Sequence, residues 1–341
     1  MAGELIVRVI YPLTTGRIIL RTDMNWDKDV EPESVSADGT QTQFLLTLNR
    51  PYCYFKPCLR DGGDFFWSQG TNYLGITDVP GGKDIYPFFH GNLAGTITER
   101  LEVPGSTPGN SHPIRVYLPP GYSENTLKRY SVLYMHDGKN LFFPHEAFGG
   151  EPWDVDATMD LLDAMNVVDK VLVVGIYTDD RMTDYTKPGY ESYGRYIVQL
   201  LKPFVDSKFR TLSSPKTTAI MGSSLGGVVS FYLAWQWPDV FGKAACLSST
   251  FGFRDDLLGR VREEEARGQF YLDSGWPGDN YEATVAMRDA LRERGYQVGK
   301  DLLYFAFPNA LHNEMHWAMR SHIPFQFFFG KQFARDVSGG R

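Results

Sequence analysis

Ser224 stands at the centre of Gly222-Ser223-Ser224-Leu225-Gly226, a Gly-x-Ser-x-Gly pattern. The apolar run Thr218 to Met221 leads into it, and an amphipathic segment, Val228 to Trp237, leads out. Strand, sharp turn and helix in that order are the setting a nucleophile elbow needs. In so tight a turn the serine backbone is strained, and Gly222 and Gly226 let strand and helix approach closely. The hydroxyl then projects above the sheet edge, and the Leu225 amide, at the helix N-terminus, points to where an oxyanion forms. A Gly/Ser-rich loop matches the same five residues without any chemistry, but the strand before and the helix after favour the elbow. A serine hydroxyl is a weak nucleophile, so it needs a histidine base oriented by a carboxylate.

The elements around this stretch decide which histidine and which carboxylate can reach it. From about residue 95 strands and helices alternate, which implies an α/β fold with a mostly parallel sheet. Ile114 to Leu118, Val132 to Met135, Val171 to Val174, Ala244 to Leu247, Phe270 to Leu272 and Leu302 to Phe307 read as strands. Asp156 to Val168 reads as a helix, apolar residues recur at helical spacing between 193 and 205, and a further helix runs from Tyr281 to Arg294. This is the element order of the α/β-hydrolase fold, in which acid and base follow the serine on loops after late strands.

His312, just beyond Leu302 to Phe307, is the candidate base; His316 falls within a helix ending at Ser321. With Glu314 between them the two histidines also suit a surface cluster or a metal pair. A zinc-protease pattern, however, places its Glu directly after the first His, so neither metal nor cofactor is expected. For the acid, Asp279 is favoured because it lies well into the loop after Phe270 to Leu272. Asp273, at the strand end, is the alternative, and Asp255 or Asp256 a third choice. Asp301 is at the wrong end of its strand. In Asp137-Gly138-Lys139 the glycine lets the backbone turn its amides inward, so the second oxyanion donor is assigned to Lys139 first and Gly138 second. Trp153, Tyr177, Arg181, Tyr185 and Trp276 lie on loops at the same sheet edge and are the substrate-side candidates. Arg181 suits an anionic or catechol group, or else pairs with its neighbours Asp179 and Asp180.

Ahead of this domain, Leu5 to Ile10, Arg17 to Leu20, Phe44 to Leu48 and Tyr52 to Phe55 are short strands separated by turns such as Asp61-Gly62-Gly63 and Pro80-Gly81-Gly82. They suggest a smaller all-β, immunoglobulin-like sandwich over residues 1–95, with the α/β-hydrolase domain over 96–335. Trp26, Phe65, Phe66, Trp67, Phe88 and Phe89 suit the core or junction of that sandwich better than a sugar-binding face. Residues 105–113, rich in Pro, Gly and Ser, read as a linker or long hairpin.

A length of 341 residues fits one large domain plus an appendage, and 43% hydrophobic with 22% charged residues fits a globular protein with a real core. The net charge of −7 argues against nucleic-acid or anionic-membrane partners. The start of the chain lacks the basic and apolar regions of a signal peptide, no window is apolar enough to span a membrane, and three scattered cysteines read as reduced thiols. A cytoplasmic location is the expectation. Oligomeric state stays open, since an edge strand or the sandwich is available to pair subunits.

Tyr134-Met135-His136-Asp137-Gly138-Lys139-Asn140-Leu141-Phe142, Val173-Val174-Gly175-Ile176, Gly222-Ser223-Ser224-Leu225-Gly226-Gly227 and His312-Asn313-Glu314 occur in this order. Over about residues 100–330 the chain therefore resembles the serine esterase family of the α/β-hydrolase superfamily. That family includes enterochelin esterases, feruloyl esterases, S-formylglutathione hydrolases and mycolyltransferases. A β domain ahead of the catalytic one is similar to the arrangement in enterochelin esterases. The resemblance implies Ser224 as nucleophile, His312 as base and an acid in the loop assigned to Asp279. Some siderophore esterases of the family work with a Ser-His dyad, so the resemblance does not itself require the acid. It implies hydrolysis of a small-molecule or polymer-derived carboxylic ester through an acyl-enzyme, with siderophore or aromatic, feruloyl-type esters as substrate classes. An acyltransferase on the same scaffold, and a carbohydrate- or ligand-binding protein with a hydrolase-like fold, are the alternatives.

Overall fold

A computed structural model describes residues 3–77, 81–103, 111–265 and 267–331. Most of the linker expected at 105–113 lies outside the described residues, as do Pro80 and the outer limits, 1 and 335, of the expected domains. The first strands are β1 (Gly3–Ile10), β2 (Arg17–Thr22), β3 (Asn25–Val30), β4 (Ser34–Val35), β5 (Gln41–Leu48), β6 (Tyr52–Asp61), β7 (Asp64–Trp67), β8 (Tyr73–Ile76) and β9 (Lys83–Ile85). They form two sheets, β4-β5-β1-β9 and β3-β2-β6-β7, with β8 also paired to β6. Every pairing is antiparallel except that of β1 with β9. Alternation explains the stacking: Leu5, Val7 and Val9 of β1 and Phe44 and Leu46 of β5 point into one core with Ile18 and Leu20 of β2 and Phe55 of β6.

The later strands are β10 (Thr96–Ile97), β11 (Ile114–Leu118), β12 (Ser131–Met135), β13 (Val171–Ile176), β14 (Thr218–Ser223), β15 (Lys243–Leu247), β16 (Gln269–Trp276) and β17 (Leu302–Pro308). They build one sheet in the order β10-β11-β13-β12-β14-β15-β16-β17. β10 and β11 run antiparallel to their neighbours, and the rest are parallel. Unbroken apolar runs suit such strands because both faces are covered. Ile220 of β14 packs into a core with Tyr134, Val174 and Phe270, while Ala219 and Met221 enter the opposite one with Leu133, Val173 and Tyr271.

The helices are α1 (Val155–Ala164), α2 (Arg181–Asp184), α3 (Gly189–Tyr196), α4 (Lys202–Lys208), α5 (Leu225–Gln236), α6 (Leu257–Glu263), α7 (Tyr281–Glu293), α8 (Glu314–Arg320) and α9 (His322–Phe329). α1 stops at Ala164, short of Val168, because Asn166 takes a left-handed conformation at φ 60°. The segment expected as one helix from 193 to 205 is joined through a π-turn, Ile197–Leu201. Pro203 follows that turn and has no amide proton for an ordinary helical bond. α5 is not amphipathic: every residue from Leu225 to Trp235 is buried. A helix at the centre of the molecule has no solvent face to supply.

The sandwich is tied to the loop after β11. Glu124 accepts hydrogen bonds from the amides of Phe89 (2.6 Å), His90 and Gly91 (2.9 Å each) and from the Tyr11 hydroxyl (3.0 Å). Asn125 donates to the carbonyls of Ile10 and Pro87. Phe88 and Phe89 are buried, whereas Phe65 and Trp67, on β7, lie beneath the Arg21 guanidinium. Cys53, Cys58 and Cys246 are buried and unpaired.

Close approach of β14 and α5 depends on two glycines. A Cβ at Gly222 would lie 2.5 Å from the Gly226 carbonyl carbon, and one at Gly227 would lie 2.0 Å from Ser249 Oγ. At Gly226 the nearest atom, Asp137 Oδ2, would be 3.3 Å away. Gly227 is therefore the tighter of the two helix positions, contrary to the role expected for Gly226. Gly222→Ala is expected to lower stability by about 1–3 kcal/mol through overpacking against backbone. Gly259→Ala, in α6 with open space around its Cα, is expected to raise it by about 0.5–1 kcal/mol. Urea denaturation of the two variants checks the contrast.

Candidate active site

Ser224 adopts φ 56° and ψ −121° between β14 and α5, a conformation L-residues avoid. Its amide donates to the Leu247 carbonyl (2.9 Å), and its carbonyl accepts from the amides of Gly227 and Val228 (3.2 and 3.3 Å). The strained turn is thus pinned from both sides. Leu225 is the first residue of α5, so its amide has no intrahelical acceptor.

Three side chains remote in sequence meet at the C-terminal edge of the sheet. His312 Nε2 lies 3.0 Å from Ser224 Oγ, and His312 Nδ1 lies 2.6 Å from Asp279 Oδ1. Burial raises the Asp279 carboxyl, but hydrogen bonds from His312, Ser248 and the Gly275 amide outweigh it and hold the group below its ordinary range. An ionised Asp279 can only accept. Nδ1 therefore carries the ring proton, and Nε2 is left to accept from the serine hydroxyl. The edge of Trp317 meets the His312 ring at 4.8 Å between centroids.

Behind Asp279 is a dry polar layer. Ser248 Oγ donates to Asp279 Oδ2 (2.6 Å) and accepts from Trp317 Nε1 (3.0 Å) and from the Arg320 guanidinium. One proton and two lone pairs are all a hydroxyl has, so Ser248 is saturated. Arg320, 4% exposed, also bonds the fully buried Asp273 at 3.0 Å. Burial pushes the Asp273 carboxyl up, opposed by Arg320, the Tyr271 hydroxyl and the Ser248 amide. The alternative acid is therefore inside the sheet. β16 runs on to Trp276 by pairing with β17 as far as Pro308, which puts Asp273 in mid-strand rather than at a strand end. Asp255 and Asp256 are engaged elsewhere: the first accepts from the Gly252 and Leu257 amides, the second from Lys187 and Tyr190.

The loop after β12 enters this edge through Asp137, which is left-handed at φ 55°. Gly138 and Lys139 open a 3₁₀ turn, where leading amides lack a partner within the turn. A Cβ on Gly138 would sit 2.7 Å from the Gly175 carbonyl carbon, so only glycine fits against β13. Arg181 does not pair with Asp179 or Asp180. Its guanidinium grips Asp137 in a two-pronged ion pair of 2.7 and 3.0 Å, and Asp180 instead caps α2. Tyr185 is fully buried and its hydroxyl accepts from the Asp137 amide at 3.2 Å, so it braces this loop from below. Trp153 is also buried, with its indole donating to Glu314, and Tyr177 is bonded to Arg115 and Glu146. Burial leaves these three rings supporting the wall rather than forming its surface. Trp276, 49% exposed, flanks a cavity of about 240 Å³ that also touches Asp279, Leu311 and His312.

Residues 105–295 match the model of the Esterase family, described as "Putative esterase". The chain belongs to the Esterase family. Among curated proteins this family member is similar to the endo-1,4-beta-xylanase/feruloyl esterase of Xylanibacter ruminicola, with 26% identity over 258 residues, 70% of this chain and 33% of the relative. It spans 57% and 51% of the length of two other curated relatives, about half of each. Among solved structures, a ferulic acid esterase superposes with a TM-score of 0.58 at 18% identity, covering 69% of this chain and 98% of that one. The enterobactin esterase of Shigella flexneri, crystallised in the presence of enterobactin, covers 96% of this chain and 93% of its own, with a TM-score of 0.56 at 14% identity. These superpositions are likenesses of fold, and the second extends over the sandwich as well as the α/β-hydrolase sheet.

Within this Esterase family member, sequence reasoning did not single out Ser248, Arg320 or Trp317, and it met Glu314 only between two histidines of a surface cluster or metal pair and as the end of the His312-Asn313-Glu314 motif. Ser248 directly follows β15, a position from which a side chain can reach the loop after β16. No such signal exists for Arg320, whose burial depends on how α8 docks. Glu314 Oε1 accepts from Asn140 Nδ2 (2.9 Å) and Oε2 from Trp153, which links the His312 loop to the Gly138 turn. Burial raises the Glu314 carboxyl, the Trp153 bond opposes that, and the nearby Asp137 adds to it.

Arg320→Met leaves Asp273 and Asp279 without their buried cation and is expected to lower stability by about 3–5 kcal/mol. Adding Asp273→Asn is expected to recover part of that loss, read from urea midpoints. Asp279, held below its unfolded value, contributes stability above that value and loses it as pH falls through the folded one. The stability gap between the native protein and Asp279→Asn should therefore shrink from about pH 6 to about pH 2.

Proposed function

We propose that this protein hydrolyses carboxylic esters through an acyl-enzyme on Ser224. The observation that carries the reading is the hydrogen-bonded chain Ser224 Oγ–His312 Nε2–Nδ1–Asp279 Oδ1, at 3.0 and 2.6 Å. As Oγ attacks the ester carbonyl, its proton passes to Nε2 and the carbonyl π electrons move to oxygen. The oxyanion is held by the Leu225 amide with a second amide from Lys139 or Gly138, each such donor contributing about 3–4 kcal/mol at the transition state. The oxyanion collapses, the C–O bond to the alcohol breaks, and Nε2–H protonates the leaving oxygen. Water then gives a proton to the same nitrogen as its oxygen attacks the acyl carbon, the bond to Ser224 Oγ breaks, Nε2–H returns the proton to Oγ, and the free acid departs. Asp279 stays ionised throughout and stabilises the imidazolium.

Solvent access supports hydrolysis over acyl transfer. The His312 side chain is 39% exposed, so water reaches the acyl-enzyme directly. The substrate class supported best is an ester with an aromatic acyl or alcohol part, stacked on Trp276 in the cavity beside His312. Feruloyl and enterobactin esters, named for the relatives, both carry such rings. An anionic anchor at Arg181 is less supported, because Asp137 already matches its charge.

Ser224→Ala is expected to lower kcat on a p-nitrophenyl ester by at least about 10⁴-fold while leaving the circular dichroism spectrum unchanged. A fluorophosphonate should label the native protein but not the variant. Turnover that survives the substitution would reject the proposal. Trp276→Ala should raise KM for methyl ferulate about tenfold and leave that for p-nitrophenyl acetate within about twofold.

A further inference from the structure

Asn140 and Glu314 belong to the motifs that carry the second oxyanion donor and the base, and the acyl-enzyme steps use neither side chain. The fold joins them. Glu314 Oε1 accepts from Asn140 Nδ2 at 2.9 Å, and Oε2 accepts from the Trp153 indole. Asn140 and Trp153 are buried, and a charge-assisted hydrogen bond held away from bulk water is stronger than one on the surface. Both partners donate, so the bridge needs Glu314 as its carboxylate.

The bridge spans a gap that the sheet leaves open. Gly138 follows β12 and His312 follows β17, with β14, β15 and β16 between those strands. Four inter-strand steps set the two strand ends roughly 19 Å apart, so no ladder hydrogen bond ties one loop to the other. Each loop is pinned locally. Arg181 and Tyr185 hold Asp137 at the start of the donor turn. At its end the Asn140 amide donates to the Asp137 carbonyl (2.8 Å), and Asn140 Oδ1 accepts from the Phe148 amide (3.0 Å). The Gly138 and Lys139 amides lie between these two clamps. On the other side, Asn313 caps α8 by accepting from the His316 amide at 3.0 Å. Glu314 is the first residue of that helix, two positions after His312.

We infer that Glu314 is a positioning residue for the hydrolysis proposed above, on which this inference rests: its two hydrogen bonds set the spacing between the His312 imidazole and the turn that carries the second oxyanion donor. It acts through that turn rather than on the reacting atoms. An oxyanion donor works only within about 2.7–3.1 Å of the developing charge, and a misplacement of about 1 Å costs about 10²-fold in rate.

Reversing the polarity of the bridge tests this. Glu314→Gln turns an amide group toward Asn140 or Trp153, donor against donor, and Asn140→Asp sets carboxylate against carboxylate. Each is expected to lower kcat on p-nitrophenyl acetate about 10–100-fold with KM within about threefold, because acylation and deacylation both form an oxyanion. Turnover is counted per site labelled to completion by a fluorophosphonate, so unfolded protein does not enter. In the double variant the new amide donates to the new carboxylate and accepts from Trp153, and kcat should return to within about fivefold of native. Asn140→Ala deletes the contact without opposing like groups, so it reports even where a polar single variant fails to fold, and it should lower kcat about tenfold. Native kcat in Glu314→Gln or Asn140→Ala, or a double variant no faster than the slower single one, would overturn the inference while Ser224→Ala still abolishes turnover. Turnover that survives Ser224→Ala would instead remove the acyl-enzyme reading, and this inference with it.

Discussion

A buried guanidinium holds the site together. Arg320 reaches Asp273, Ser248 and Asp279 from α8, in a space from which water is excluded. Charges so placed are costly unless matched, and here each oxygen of the layer has a donor. The consequence is positional: Asp279 has one oxygen committed to Ser248 and Gly275, which leaves the other to face His312. The ring between Asp279 and Ser224 therefore inherits its orientation from a residue that touches neither the ring nor the serine.

The elbow shows how such strain is carried. A residue at Ser224's dihedral angles costs about 1–3 kcal/mol. Burying each of Val228, Val229, Phe231 and Leu233 of α5 contributes roughly 1.5–3 kcal/mol. The helix is anchored several times over, so the turn has no cheaper conformation to relax into. Because α5 is buried on all sides, the position of the Leu225 amide is as fixed as the core itself.

Rigidity is shared across loops rather than confined to one. Glu314 joins the His312 loop to the Gly138 turn through Asn140 and Trp153, and Arg181 and Tyr185 hold Asp137 at the start of that turn. Trp317 joins the ring of His312 to Ser248. Of the aromatic residues expected on the substrate side, Trp153, Tyr177 and Tyr185 are thus buried braces, and Trp276 is exposed and borders the cavity beside the histidine.

Local features were legible in the chain itself. The glycine-flanked serine, the apolar parallel strands and the position of His312 after the last strand all follow from rules in which a residue and its immediate neighbours specify the backbone. Tertiary packing decided the rest. Whether Asp273 or Asp279 meets the histidine turns on how far β16 continues its pairing with β17, and a register between two strands is invisible in either one alone. Arg181 met Asp137, forty-four positions earlier, rather than its adjacent aspartates, because a short helix turns its side chain away from them. α5 lost the polar face its pattern suggested, since the number of faces a helix buries depends on what surrounds it. Sequence determines which groups are available and on which loop. Only the folded chain determines which of them share a dry space, because burial is a property of the whole packing.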